Sequence, residues 1–564
     1  MKNLIKQLRL QFSKYDIDGY IIPKNDEFFS EFSNKNRLEK LTNFTGSAGC
    51  AVILKHTNYL FVDSRYTIQA KIESGSKFKI VSYEKIFNYK VFRNLVIGLD
   101  PALFTRNQIK KIFPKNKIKI IEKNLVDNIV NFKSVKIKPF YSLNKKIVGE
   151  RSKIKLKRVI EYLKKNNFDH IFITAPENIA WVLNIRGYDN PHSPIPNSNL
   201  LISRTNNKFI IAKKIKLKNL VKEKKIRPQE IIEPKMVGQL FKDLNGKKIL
   251  IDKNTCSEYY EQLFNNKFKI FRSHDPIYLM KSIKNKTEIN NMIKAHVIDG
   301  VALTKFLYWI KEINKKKITE VDAQNKLEKF RKKNKNYLFP SFNTIAGSGK
   351  NAAIVHYRAN IKNTSIIKNR DIFLCDSGGQ YKYGTTDVTR TICFSQQSKK
   401  IRKIFTYVLK GHMAVVNANL AKLDIGKKID VKARKFLKKV GLNYGHGTGH
   451  GVGFFLNVHE GPQAISNLNK VKLKEGMILS NEPGYYKKNN FGIRIENLIY
   501  VNKNINKLSF KNLTLVPIEK ELIDYDILTK YEKDYLLKYH LEVYSKIAPF
   551  LKKREKKWLA KFIQ

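Results

Sequence analysis

Five residues in the C-terminal half have the right types and settings to hold metal: Asp376, Asp387, His450, Glu482 and Glu496. They sit in the stretches LCDSGGQYKYGTTDVTRT, HGTGHGVGFFLNVHEGP, NEPGYY and GIRIEN. Hard oxygen donors with one nitrogen suit Mn²⁺, Co²⁺ or Zn²⁺, and four carboxylates favour two ions over one. A pair of such ions activates water and polarises a carbonyl, which is the chemistry of hydrolysis at neutral pH.

Asp376 ends an apolar run, Gly378-Gly379 follows at a turn, and Asp387 lies in the run that returns. A hairpin would bring the two carboxylates together, where they repel unless cations lie between them. His446, His450 and His459 fall within a short stretch that is otherwise Gly-rich and apolar, ending beside Glu460. Its glycines leave room for close approach to ions or substrate. Glu482 follows the apolar run MILS, and Glu496 lies in IRIENLI with Arg494 two residues earlier on the same face. Such an arginine orients a ligand carboxylate from behind. Acids buried in apolar strands need partners, and metal is the economical one.

Three regions must position these residues. The first, about 1–146, alternates helical and strand patterns, with GYIIP, CAVILK, YLFVD and LVIGLD as short strands and a helix after Thr105. Its opening helix places Leu4, Leu8 and Phe12 on one face and has no signal-peptide pattern. The second, about 147–281, begins the same way: helix, polar turn with Asp, short apolar strand, Pro. This reads as a duplicated domain. The third, 282–564, opens with a long helix that Thr287 would cap, its apolar face made by Ile289, Met292, Ile293, Val297, Val301, Leu303 and Leu307. A second helix follows Thr319, with Asp322 completing a capping box. Strand patterns surround every motif, with helices near 400–420 and 430–440, so a curved antiparallel sheet with outer helices is expected. From about 520 the tail is helical and amphipathic, packing on the domain or on a partner subunit. The fold class is α/β (α+β): two related N-terminal α/β domains and a C-terminal sheet domain.

Composition sets outer bounds. The chain has 564 residues, 42% of them hydrophobic, enough to bury real cores. No stretch approaches the roughly 18 apolar residues of a membrane span. Four widely spaced cysteines form no CxxC and fit free thiols in a reducing compartment, so a cytoplasmic protein is expected. The net charge of +61 invites a nucleic-acid reading, but Lys greatly outnumbers Arg and is spread along the whole chain. Sequence-specific sites rely on the planar fork of Arg. The charge therefore reads as compositional bias, with only weak, salt-sensitive polyanion binding.

Taken as a set, the motifs of the third region resemble the pita-bread metallopeptidases, and specifically the long, three-domain Xaa-Pro aminopeptidase (aminopeptidase P) family. FTGSAG, DSRY, IAWVLNIRG and LTLVPIEKELID extend the resemblance over nearly the whole chain. It implies two creatinase-like N-terminal domains, a dinuclear site usually loaded with Mn²⁺, a homodimer, and peptide substrates with proline second. By motif, Asp376 resembles a ligand of one ion, Asp387 and Glu496 the bridging carboxylates, and His450 and Glu482 the ligands completing the other ion. Glu482 is also placed to manage the attacking proton. His356, in IVHYR, resembles a substrate-contacting histidine that shuttles protons. His459 resembles one that holds the substrate carbonyl and its tetrahedral intermediate, His446 one that lines the substrate site, and Arg494 the arginine behind the ligands. Gly379 and Tyr383 stand where the family commonly has Ala and Asp, and neither is a ligand position. The same fold also serves prolidases, which cleave only Xaa-Pro dipeptides, and non-catalytic binding modules. The length and tail favour the aminopeptidase, and the complete ligand set opposes a binding module.

Overall fold

The structure, a computed structural model, describes residues 2–564 apart from 88, 134, 135, 265, 266, 314–316 and 506. It divides into two compact units, Met1–Tyr278 and Leu279–Gln564.

The first unit holds two six-stranded sheets. One is built from β1 (Gly19–Pro23), β2 (Cys50–Leu54), β3 (Asn58–Val62), β4 (Lys79–Ser82), β5 (Val96–Leu99) and β6 (Lys117–Ile120). The other uses β7 (His170–Ile173), β8 (Asn199–Ser203), β9 (Lys208–Ile211), β10 (Ile231–Ile232), β11 (Lys248–Asp252) and β12 (Lys269–Ser273). Their strand orders are β4-β3-β2-β1-β5-β6 and β10-β9-β8-β7-β11-β12, the same topology twice. The parallel and antiparallel pairings also correspond one for one. The central strands are buried along their whole length, which is why they read as apolar runs rather than alternations.

The Asp in each polar turn has a matching task. Asp18 precedes β1, and its carboxylate accepts from Val96 N at the start of β5, 2.9 Å away. Asp169 precedes β7 and accepts from Lys247 N and Lys248 N at 2.8 and 2.9 Å, at the start of β11. In both sheets this ties the first strand to its parallel neighbour, so the repeated Asp fixes register as well as the turn.

Among the described residues every strand pairing in the second unit is antiparallel. Its strands are β13 (Tyr337–Pro340), β14 (Ile345–Ser348), β15 (Ile372–Ser377), β16 (Gly379–Tyr381), β17 (Gly384–Thr385), β18 (Val388–Cys393), β19 (Gly449–Gly451), β20 (Glu460–Ile465), β21 (Ile478–Asn481), β22 (Gly484–Lys487), β23 (Phe491–Arg494), β24 (Asn497–Asn504) and β25 (Lys507–Asn512). They form sheets ordered β13-β16-β17, β14-β15-β18, β20-β19-β21-β24-β25 and β22-β23.

Helix α1 (Lys286–Tyr308) is capped by Asn285, whose side chain accepts from Glu288 N, and not by Thr287, which lies inside the helix. The capping box belongs to Asn285 and Glu288, two residues before the Thr that the spacing favoured. Ile293 faces outward at 37% exposure, while His296, Asp299, Ala302 and Phe306 are buried. The apolar stripe is thus rotated toward a partly polar core. Helix α2 (Glu320–Lys332) is capped by Thr319 with Asp322, as its spacing predicts. Helices α3 (Lys399–Val416) and α4 (Gly426–Lys438) lie where helical patterns were expected. The tail forms α5 (Lys530–Ile547) and α6 (Lys553–Ile563), and its Leu536, Tyr539, Val543, Ile547, Trp558 and Leu559 join one core cluster with Leu303, Phe306, Phe373 and Ile392. The tail's apolar face is therefore used within its own unit. Among the described residues no helix is long and apolar enough to cross a membrane.

Two histidines of this core give the unit an acid sensitivity. His412 on α3 lies lowered to about 3 and His540 on α5 to about 4, in each case by burial first and then by the charge of Arg390. His540 Nε2 accepts from Ile518 N at 3.2 Å, a bond that protonation destroys. A histidine held neutral in the folded state, with a lowered pKa, contributes stability above the unfolded value near 6.5 that is lost as pH falls toward the folded value. For His540 the difference amounts to on the order of 3 kcal/mol. Unfolding free energy measured by denaturant titration should fall between pH 7 and 4.5, and the fall should be shallower in His540→Gln. An equal slope in the two proteins would contradict this account.

Candidate metal centre

The centre is assembled on the hairpin of β15 and β18, whose register sets Asp376 opposite Thr389 and Ser377 opposite Val388. Asp387 lies one residue before β18. The chain between makes a detour through β16 and β17, so this is not a simple tight turn. At Gly378 a Cβ would lie 2.0 Å from Thr386 O and 2.2 Å from Ser341 Oγ, so the hairpin closes only over glycine.

His450 lies on β19, and its Nδ1 donates to Gly451 O at 2.9 Å. That bond aims Nε2 inward, 3.5 Å from both Asp387 Oδ2 and Glu482 Oε1. Glu482 follows β21, with its N–H on Thr448 O at 2.8 Å. Ser480 Oγ serves both, accepting from His450 N and donating to Glu482 Oε1, each at 2.9 Å. Glu496 sits between β23 and β24, held to Thr389 twice: its N–H donates to Thr389 O at 3.1 Å, and Oε2 accepts from Thr389 Oγ1 at 2.7 Å. Arg494 donates to Asp376 Oδ2 at 2.6 Å. Ligand atoms of Asp387, His450 and Glu496 all lie within 4.8 Å of one another.

The electrostatics are those of a site built for cations. Burial, then the charges of Asp387, Glu482 and Asp376, push Glu496 well above the usual carboxylate range. Asp387 is pushed up to about 6, by burial first and by the charges of Asp376 and Glu482, against its bond from His450. His450 is opposed by burial, but the Asp387 bond and the Glu482 charge win and raise it to about 9. Oδ1 of Asp376 and Oδ1 of Asp387 are buried without a hydrogen-bond partner. Unpartnered buried carboxylate oxygens beside an inward imidazole nitrogen, which gives up its proton to a metal, fit divalent cations.

The further histidines approach by different routes. His459 packs edge-on against His450, ring centroids 4.4 Å apart. His446 Nδ1 donates to Gly447 O at 2.7 Å, so its Nε2 accepts from Tyr486 OH at 2.9 Å. Tyr486 in turn accepts from Arg494 at 2.6 Å, which completes a chain from His446 through Tyr486 and Arg494 to Asp376. His356 enters on the loop after the 3₁₀ turn Gly349–Ala353. Glu320 pins that loop, accepting from Ser348 N at 2.7 Å, Ser365 N at 2.9 Å and Tyr357 OH at 2.8 Å.

Sequence reasoning passed over Thr389, Tyr486, Ser480 and Glu320. Thr389 and Tyr486 lie inside quoted motifs, and Thr389 stands two residues from Asp387 on a strand, a period that points both to one face. Most glycines of the His-rich stretch serve packing: a Cβ on Gly449 would lie 1.9 Å from Ser480 O, and one on Gly451 2.2 Å from Glu460 O. A second acidic group, Cys393 with Glu519 and Glu521, has its charge met by Lys311, whose Nζ lies 2.6 and 3.1 Å from the two carboxylates.

Comparison with known proteins gives the same picture. Residues 290–503 match the metallopeptidase family M24, and 506–564 match the C-terminal region of peptidase M24. Residues 5–122 and 133–288 match creatinase/prolidase N-terminal domains. The chain is 34% identical to a probable Xaa-Pro aminopeptidase P of Botryotinia fuckeliana, covering 99% of this chain and 92% of that protein. It is 36% identical to Xaa-Pro aminopeptidase 1 of Dictyostelium discoideum, over 97% of this chain and 93% of that one. The chain belongs to the Xaa-Pro aminopeptidases of family M24. Among solved structures, the X-prolyl aminopeptidase of Caenorhabditis elegans, a cytosolic enzyme with a di-nuclear active site, superposes over 100% of this chain with a TM-score of 0.92 at 28% identity. Prolidase from Pyrococcus furiosus covers 63% of it, with a TM-score of 0.52 and 26% identity.

For a member of this family the mutual repulsion of the site carboxylates gives a direct test. With divalent ions stripped by a chelator, Asp387→Asn should melt at a higher temperature than the wild type, because burial and the charges of Asp376 and Glu482 outweigh the bond from His450 and make the Asp387 charge costly. Added Mn²⁺ should raise the wild-type Tm by several degrees, consistent with about 2.7 kcal/mol at a hundredfold excess over Kd. The variant should gain far less. A variant that is less stable when stripped, or equally stabilised by Mn²⁺, would show that Asp387 carries no strained charge.

Proposed function

We propose that this enzyme releases the first residue from peptides that carry proline in second position, using two divalent ions held by Asp376, Asp387, His450, Glu482 and Glu496. The observation that carries the reading is similarity to Xaa-Pro aminopeptidases over the full length, where the prolidase likeness stops at about two thirds of the chain. Mn²⁺ is the assignment for both ions, with Co²⁺ or Zn²⁺ compatible with the same donors. When bound, such ions supply positive charge that acidifies water and polarises a carbonyl.

The chain's own residues do the rest. Glu482 Oε1 is occupied by the Ser480 hydroxyl, so its Oε2 receives the proton of the attacking water. His459, beside His450, holds the carbonyl oxygen of the first residue and stabilises the charge that develops on it. His356 delivers a proton to the departing proline nitrogen, which must be protonated to leave. His446 lines the substrate site, and its link through Tyr486 and Arg494 keeps it in register with Asp376. Proline lacks an N–H, so recognition rests on its ring and on the free amine of the first residue.

The same reading includes a homodimer, a cytoplasmic location and division into domains at 1–146, 147–281 and 282–564. Four free cysteines support a reducing compartment. The two repeated sheets and the four matched stretches support the division.

The decisive assay uses metal-stripped protein reconstituted with Mn²⁺, an Xaa-Pro-Yaa tripeptide and an Xaa-Pro dipeptide. Release of the N-terminal residue from the tripeptide is expected, with a kcat/KM well above that for the dipeptide. His459→Ala should lower kcat by roughly a hundredfold with metal content unchanged. Preference for the dipeptide would make the enzyme a prolidase, and no hydrolysis with any divalent ion would end the peptidase reading.

A further inference from the structure

The His-rich stretch ends at Glu460, and that carboxylate is held in a way the chemistry above does not use. Its Oε2 accepts from Lys281 Nζ at 2.6 Å, and its Oε1 accepts from Lys284 Nζ. All three side chains are 1% exposed. Lys284 also donates to Ser282 O at 3.3 Å. The lysines lie just before α1, far from Glu460 in the chain. Their segment is pinned as well: Lys284 N donates to Gly476 O at 3.1 Å, and at Gly476, with φ of +84°, a Cβ would lie 2.3 Å from Lys284 O.

Burying two ammoniums against one carboxylate is a poor way to gain stability. Desolvating three ions costs several kcal/mol each, and apolar side chains of the same volume often do as well or better. Burial pulls the Lys284 ammonium below its ordinary range even with Glu460 beside it. Such a cluster does confer geometry, because every member is lost if one moves.

What it fixes lies next to it. Glu460 begins β20, where it pairs with Gly451 beside His450 in β19, and His459 immediately precedes it. The turn from β19 folds around the carboxylate closely enough that a Cβ on Gly453 would lie 3.1 Å from Glu460 Oε2. The clamp therefore anchors the backbone on the C-terminal side of His459 to the segment before α1, while the Glu460–Gly451 pairing holds it beside the strand that bears His450, whose ring His459 meets at 4.4 Å.

We propose that Glu460, clamped between Lys281 and Lys284, is the positioning residue that holds His459 against His450 and so governs turnover. The inference rests on the functional reading above, in which His459 touches substrate.

The test is a double-mutant cycle of Glu460→Gln and His459→Ala, measuring kcat and KM on an Xaa-Pro-Yaa peptide with Mn²⁺ content and Tm of each protein. Glu460→Gln keeps the size of the side chain and removes the charge that both lysines need. Alone it should lower kcat by roughly tenfold, with KM within about twofold and metal content unchanged. In the His459→Ala background the same change should cost less than about twofold, because the residue it positions is gone. Equal costs in the two backgrounds, or a folded Glu460→Gln with wild-type kcat, overturn the proposal. Where Glu460→Gln does not fold, Lys281→Met leaves the Lys284 pair in place and is read in the same cycle by the same criterion, with Lys281→Arg expected to recover most of the lost kcat. A wild-type protein inactive on the peptide sinks the functional reading itself; an active wild type with additive costs sinks only the positioning role.

Discussion

Mutual repulsion among buried carboxylates is the constraint on which the second unit is organised. Two unit charges about 4 Å apart interact by roughly 4 kcal/mol at the effective dielectric of partly buried sites. Domains have about 5–15 kcal/mol of stability in total, so a set of such pairs cannot stand without compensation. Part of it is built in. Arg494 takes Asp376, Thr389 takes Glu496, and Ser480 takes Glu482. The rest is left to protons or to bound cations, as the raised positions of Asp387, Glu496 and His450 indicate. Asp376, Glu482 and Glu496 are also held by their own backbone, through strand register or an N–H bond to a neighbouring segment, so these charges cannot relax apart without disturbing the sheets that carry them.

Arg390 shows how far that holding extends. It lies on β18, one residue beyond Thr389, and turns away from the metal side to the rear of the sheet. Its guanidinium donates to Thr389 O at 2.8 Å, Glu496 O at 2.7 Å, Asn497 Oδ1 at 2.8 Å, Val516 O at 2.7 Å, Pro517 O at 3.0 Å and Tyr539 OH at 3.0 Å. A single planar fork thus joins the backbone of Glu496 to the segment after β25 and to helix α5. Lysine, with three donors on a flexible stem, cannot reproduce that set. Helix α5 is therefore mechanically part of the metal centre, although no residue of it is among the candidate ligands.

The sequence made some of this legible and hid the rest for identifiable reasons. Residues 19–23, 50–54 and 372–375 are uninterrupted apolar runs, and local pattern suffices to place the strands they belong to. The five candidate ligands stood out because acids and histidine recur in stretches otherwise apolar or rich in glycine. The cap at Asn285 was missed because Thr287 offers the same chemistry two residues on, and only the Glu288 partner decides between them. The outward turn of Ile293 was invisible because the buried face of α1 includes His296 and Asp299, and Asp299 finds its partners far along the chain, in Arg331 on α2 at 2.8 Å and Tyr381 OH at 2.7 Å. The shared strand order of the two N-terminal sheets could be suspected from the repeated helix–Asp–strand opening, but the pairing of a strand with a neighbour dozens of residues away leaves no local mark.

The excess positive charge bears on the same question from the other side. With 109 basic residues against 48 acidic ones, carboxylates are the scarce partner for ion pairing throughout the chain. Surface pairs contribute little, so a lysine-rich exterior forgoes little by lacking them. Inside, the balance differs: Lys155 is taken by Trp181 O and Asn184 Oδ1, Lys410 by Glu532 and Ile527 O, and Lys311 by Glu519. Against that background, committing Asp376, Asp387, Glu482 and Glu496 to one small volume, with Arg494 and His450 as their close cationic side chains among the described contacts, leaves a local excess of acid inside a protein that is strongly basic as a whole. Among the described residues the ion pairs of these acids run to Arg494 and His450 rather than to lysine, and the unpartnered Oδ1 atoms of Asp376 and Asp387 are where divalent cations fit.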